Sequence, residues 1–119
     1  MTGAPVILHE TVPGATAALG VWVRSGSADE PADLAGVTHL LEHLLLRRCG
    51  QRTPEAIAEL TDSLGGSVDA FTTREVCAVT AHVPAERLEE AAELVLEAVS
   101  QPVVRAAELE LERSVVGAE

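Results

Sequence analysis

The sequence predicts an α+β fold in two layers, a mixed β-sheet with helices packed on one of its faces. Three observations lead there. Short segments rich in small and β-branched residues recur at 15–23, 67–73 and 76–83, the signature of strands. Longer stretches between and after them carry apolar residues at helical spacing. The chain has 119 residues and is 47% hydrophobic, enough to bury one core but not two. Residues 1–119 are therefore read as a single domain.

The elements follow in chain order. Val6 to Leu8 is a short apolar stretch, and Pro13-Gly14 reads as a turn. Ala15 to Val23 is a buried strand, and Arg24 to Asp33 a loop rich in Ser, Gly, Asp and Pro. From Leu34 the pattern is helical to about Arg48, with Leu40, Leu41, Leu44 and Leu45 on the apolar side. Arg47 and Arg48 close that helix where cations complement its dipole, and Gly50 ends it. Thr53-Pro54-Glu55 starts a second helix, with Thr53 as N-cap and proline in the first turn; Gly65-Gly66 stops it. Ser67 to Thr73 and Val76 to Val83 are strands joined by a turn at Thr73-Arg74-Glu75, an antiparallel pair. Glu86 to Ser100 is an amphipathic helix with Leu88, Ala91, Ala92, Val95, Leu96 and Val99 on one side. A last helix runs from near Arg105 to Glu119.

Composition narrows the partners. Eight basic residues, all arginine, stand against 19 acidic ones, for a net charge of −11. Such a chain repels nucleic acid and anionic membranes and is compatible with basic peptides, metals or a basic partner. Aromatic residues are 2% of the chain, only Trp22 and Phe71, so the core is aliphatic. Cys49 and Cys77 make no disulfide framework, and each is read as a small buried hydrophobe. Met1-Thr2-Gly3-Ala4-Pro5 does not have the form of a signal peptide, and no apolar run reaches the length of a membrane span, so a cytoplasmic location is expected.

The chemistry concentrates in His39-Leu40-Leu41-Glu42-His43. At roughly 100° per residue, the two histidines and the glutamate share an arc of about 100° on one helix face. Histidines four apart can close on one zinc ion, and a carboxylate beside them can deprotonate a water whose pKa the metal lowers. Zn2+ is therefore the expected cofactor. A catalytic site needs a third protein ligand. Asp69, Glu75, Cys77, His82, Glu108, Glu112 and Glu119 are the candidates that spacing leaves open. Glu112 and Glu119, seven apart, share a face of the last helix. His9 and His82 have no motif around them and read as ordinary histidines.

These motifs, taken together, resemble the pitrilysin/insulinase/mitochondrial processing peptidase family. The likeness runs from about Val6 to Glu119: a strand, a loop, Gly36-Val37-Thr38 before the His39–His43 motif, Gly65-Gly66, then Ser67-Val68-Asp69-Ala70-Phe71-Thr72, and finally Glu112-Arg113-Ser114-Val115-Val116 closing on Glu119. The resemblance implies a zinc endopeptidase, with His39 and His43 as metal ligands and Glu42 as the catalytic base. It implies Glu119, 76 residues after His43, as third ligand and Glu112 as a carboxylate supporting the site. It also implies that Asp69-Ala70-Phe71-Thr72 pairs with a substrate backbone. Asp69 stands where the family usually has Asn, so the substrate contact loses a donor and gains a charge, which points either to a basic peptide or to a degenerate site. S-ribosylhomocysteine lyases carry a similar helix with a cysteine as third ligand. Cys77 follows His43 by only 34 residues, and the Gly65–Thr72 stretch does not match that family.

The family's domain continues with further strands and helices, and a homologous second domain or subunit closes around a peptide or unfolded polypeptide substrate. The chain is thus expected to be the N-terminal, zinc-bearing part of an incomplete metallopeptidase domain. The expected result is an unpaired sheet edge and an uncovered apolar face. The alternative expectation is a catalytically incompetent, truncated homologue that acts as a peptide-binding or assembly subunit.

Overall fold

The strand segments form one three-stranded sheet in the computed structural model, which describes residues 13–119. β1 (Thr16–Val23), β2 (Ser67–Thr72) and β3 (Cys77–Pro84) lie in the order β1-β3-β2. Both pairings are antiparallel, Val21 facing Val79 and Ala70 facing Val79 from the other side. The α+β class and the two layers agree with the sequence reading. The sheet does not, because every described pairing is antiparallel and none is parallel. For β2 and β3 the hairpin is the reason, since the short turn at 73–76 can join only antiparallel neighbours. Val6 to Leu8 and His9 lie outside the described residues.

Four helices complete the chain: α1 (Val37–Leu45), α2 (Pro54–Leu64), α3 (Leu88–Ser100) and α4 (Ala106–Ala118). The period of two in the strands sorts their side chains. Val79, Ala81 and Val83 of β3 are buried toward the helices, with Leu19, Val21, Val68 and Ala70 packed around them. The opposite face carries Ala18, Gly20 and Trp22 of β1 beside Ala78, Thr80 and His82 of β3 and Ser67, Asp69 and Phe71 of β2. Trp22 is 58% exposed there and Phe71 39%, so the two aromatics lie outside the aliphatic core.

The core is centred on α3. Ala91, Leu94, Val95 and Ala98 are fully buried against Ile57, Leu64, Val79 and Val83. The sequence stripe placed Leu88 and Leu96 inward; both are exposed. The true buried face is turned toward Leu94 and Ala98, because small alanines let α3 approach the sheet closely. Cys49 and Cys77 are buried and unpaired, as expected of small hydrophobes. Burial pushes the Cys49 thiol above its ordinary value, with Glu97 adding to the effect, which keeps it protonated.

Helix ends follow local chemistry. Thr53 caps α2 by accepting from the Ala56 N–H at 3.1 Å. The expected start of α1 at Leu34 is displaced. Two short 3-10 turns occupy Ser27–Asp29 and Ala32–Leu34, and Gly36 then takes a left-handed conformation at φ 93° before α1 begins. α1 also ends earlier than Arg48, at Leu45.

Gly66 sits where α2 passes into β2 and lies directly against β3. A side chain there would collide with the His82 carbonyl oxygen and approach the Val83 Cα. Gly66→Ala is expected to destabilise the fold by about 1–3 kcal/mol, the usual cost of overpacking. Chemical denaturation of the two proteins measures it, and equal midpoints would contradict the packing.

Candidate metal centre

α1 has two faces with different duties. Leu44 and Leu45 turn into the core and are buried. His39, Glu42 and His43 project from the other side, and their potential ligand atoms lie within 4.8 Å of one another. This is the only such cluster among the described residues. The start of α1 is held from the preceding loop. Glu30 accepts from the backbone N–H of Gly36 at 2.7 Å and of Thr38 at 3.0 Å. The glycine N-cap supplies no side chain of its own, so Glu30 satisfies donors that the helix leaves free and puts negative charge at its positive end. The sequence reading missed this role. The signal was an acidic residue shortly before a glycine N-cap, and six residues of separation hid it.

α4 brings two carboxylates to the histidines. Glu119 Oε2 lies 3.1 Å from His39 Nε2, and Glu119 Oε1 lies 3.7 Å from His43 Nε2. The two Nε2 atoms are themselves 3.2 Å apart. Ligand atoms about 2.05 Å from a tetrahedral zinc stand about 3.3 Å from one another. The two distances from His39 Nε2, to His43 Nε2 and to Glu119 Oε2, lie close to that value.

The second carboxylate sets the tautomer. His43 Nδ1 is 3.1 Å from Glu112 Oε2, and Arg47 Nη1 donates to Glu112 Oε1 at 2.6 Å. Glu112 is only 7% exposed, and a buried carboxylate paired with a guanidinium acts as an acceptor. Nδ1–H donates to Glu112, which leaves the lone pair of the neutral ring on Nε2, the atom turned toward His39 and Glu119. Three electron-rich atoms facing one point suit a cation, and two imidazoles with a carboxylate suit zinc.

The other candidate third ligands are elsewhere. Glu108 accepts from Arg48 Nε at 3.0 Å and Nη2 at 2.7 Å; the Arg48 hydrogen bond holds its carboxyl below the ordinary value. Cys77 is buried in the core, and the Thr72 hydroxyl points at its sulfur. His82 and Asp69 lie on the face of the sheet away from the helices, and Glu75 lies in the β2–β3 turn.

β2 is an edge strand of the described sheet and runs beside α1. Phe71 and Thr72 line a cleft of about 410 Å³ together with Ser27, His39 and Glu42. Of the four expected substrate residues, Asp69 and Ala70 do not line it; Asp69 is exposed further along the strand, and Ala70 packs against the core. Ser27, another residue the sequence reading passed over, is carried there by its loop, whose Ser27 and Ala28 N–H groups bond the carbonyls of Thr73 and Arg74.

The Thr38 side chain, with the two backbone donors, holds the Glu30 carboxyl below the ordinary glutamate value. Its stabilising effect is therefore complete above about pH 4.3 and disappears as the pH falls through its lower folded-state value. Glu30→Gln is expected to lower the melting temperature at neutral pH and to narrow the gap to the unsubstituted protein in acid. A melting series from about pH 7 to pH 3 reads this out. A gap that stays constant across the series would contradict it.

Comparisons with known proteins place the chain in a family. The family model for Insulinase (Peptidase family M16) matches residues 5–119. An uncharacterised zinc protease of Mycobacterium leprae is 40% identical over 117 residues, 98% of this chain and 26% of that protein. The beta subunit of the mitochondrial-processing peptidase of Dictyostelium discoideum is 41% identical over 70 residues, 58% of this chain and 15% of that one. The crystal structure of a protease from Helicobacter pylori superposes with a TM-score of 0.82 at 22% identity, over 88% of this chain and 25% of that one, a likeness of fold. The chain spans about a quarter of the length of the mycobacterial relative. It belongs to the insulinase family, peptidase family M16.

Proposed function

We propose that the chain is the zinc-bearing part of a metalloendopeptidase in which His39, His43 and Glu119 hold the metal and Glu42 is the catalytic base. The single observation that carries this reading is the convergence of His39 Nε2, His43 Nε2 and the Glu119 carboxylate at separations of 3.1 to 3.7 Å. Glu112 supports the site by fixing the His43 ring.

Zinc bound there supplies Lewis acidity toward a peptide carbonyl and toward water. The remaining work falls to the chain. Glu42 shares the helix face of the ligands and borders the cleft. It takes the proton of the attacking water and returns it to the leaving amine. The open edge of β2 accepts an extended peptide by strand addition, with backbone hydrogen bonds aligning the substrate across the cleft. Phe71 and Thr72 border that path. Asp69, exposed on the same strand, favours a basic segment.

A peptide or unfolded polypeptide is the substrate class, since only an extended chain can pair with a strand edge. A homologous second domain or subunit is the expected partner. The support for it is the quarter-length coverage of the mycobacterial relative and the exposed Trp22 and Phe71. No described helix is long and apolar enough to cross a membrane.

Glu42→Gln separates binding from catalysis. Hydrolysis of an unstructured basic polypeptide, followed in the protein with its partner domain present, should fall by about 10²–10⁴-fold, the usual contribution of a general base. Metal content measured by atomic emission should stay near that of the unsubstituted protein. Unchanged hydrolysis in the Gln variant removes Glu42 from the reaction. Zinc bound without any hydrolysis in the unsubstituted protein favours the peptide-binding or assembly role instead.

A further inference from the structure

We infer that Arg47 is a positioning residue of the metal centre, acting through Glu112 on the ring of His43, an assignment that rests on the zinc reading above. Glu112 is buried, and both of its oxygens are committed: Oε1 to Arg47 at 2.6 Å and Oε2 to His43 Nδ1 at 3.1 Å. Arg47 follows His43 by four residues. The Arg47 N–H closes the turn after α1 on the Leu44 carbonyl, so the exit of the ligand-bearing helix itself carries the guanidinium to α4.

A neighbouring pair provides the contrast. Arg48 and Glu108 join the same two helices through two short hydrogen bonds to one oxygen. Glu108 sits one helical turn before Glu112 and bonds no histidine among the described residues. That pair fastens α4 to the exit of α1. Arg47 differs because its carboxylate is shared with a candidate ligand. Its only side-chain hydrogen bond among the described residues goes to Glu112, and its Nε is buried without a partner.

The physical consequence is local. A buried carboxylate bonded on one side only can rotate away from the imidazole it orients. With Arg47 in place, Oε1 is tethered and Oε2 is presented to His43 Nδ1–H. The ring then stays in the plane that points Nε2 at His39 and Glu119. Arg47 touches neither metal nor substrate, so its effect belongs to metal affinity and ligand geometry.

The test compares Arg47→Ala, Arg47→Lys and Arg48→Ala with the unsubstituted protein. Zinc dissociation constants come from competition with a chromophoric chelator. Cobalt(II) absorption in the visible reports the geometry of the ligands, and circular dichroism verifies folding. Arg47→Ala should weaken zinc binding by about 10-fold or more, as loss of an outer hydrogen-bonding partner does, and should alter the cobalt bands. Arg47→Lys, which keeps a donor and a charge, should recover most of the affinity. Arg48→Ala should lower the melting temperature while leaving zinc affinity within about threefold, since it removes no contact to a ligand. If Arg47→Ala fails to fold, Arg47→Gln replaces it in the same comparison. Equal losses of zinc affinity at positions 47 and 48, or none at 47, overturn the positioning role alone. Failure of the unsubstituted protein to take up zinc overturns the metal reading and this role with it.

Discussion

A carboxylate buried at the junction of α1 and α4 organises the functional half of this molecule. Glu112 is the only charged residue classed as buried among the described ones, and a buried carboxylate is tolerated only when its oxygens are paired. The partners are Arg47 and His43, both on the segment of α1 and its exit. That requirement sets how α4 docks. Glu108 and Glu112 face α1, while Leu111 and Val115 point to solvent. Ion pairs thus join the two helices alongside the half-buried Leu109 and Val116 of the same α4 face. Once Glu112 is seated, Glu119 follows two turns later on the same face and arrives beside the two histidines.

α1 solves the complementary problem. Nine residues must anchor the helix in the core and present three polar side chains together. A period of 3.6 residues allows both, since Leu44 and Leu45 turn inward while His39, Glu42 and His43 turn outward. The helix is short, so its ends matter. Glu30 satisfies its first donors, and the Arg47–Glu112 and Arg48–Glu108 pairs tie down its exit. β2 runs beside it and enters the sheet at Gly66, close against β3. The cleft lies where these constraints meet, with a strand edge on one side and a row of metal-type donors on the other.

Much of this was legible in the residues. Alternation and periodicity located three strands and four helices because each signal is local. Thr53-Pro54 and Gly65-Gly66 marked the ends of α2 for the same reason. His39, Glu42 and His43 were legible as a unit, since helix geometry alone brings residues three and four apart together. The sequence left three things undetermined. It could not say that the described sheet is antiparallel throughout, because strand partners are chosen by packing. It misjudged α3, where Leu88 and Leu96 fit the stripe but Leu94 and Ala98 fit the sheet. It also overlooked Glu30 and Ser27, loop residues whose roles depend on where the loop is pinned.

Residue order alone settles what is encoded within a few turns: which segments are helix or strand, and that two imidazoles and a carboxylate share one helical face. Short-range geometry suffices for that. Folding brings one of seven candidate side chains, Glu119, beside both histidines. That choice spans 76 residues from His43 to Glu119, and it depends on how α4 lies against α1. The contacts of buried Glu112 with Arg47 and His43 seat that face of α4, and neither can be read from spacing, because charged residues on separate helices have many possible partners until the chain folds.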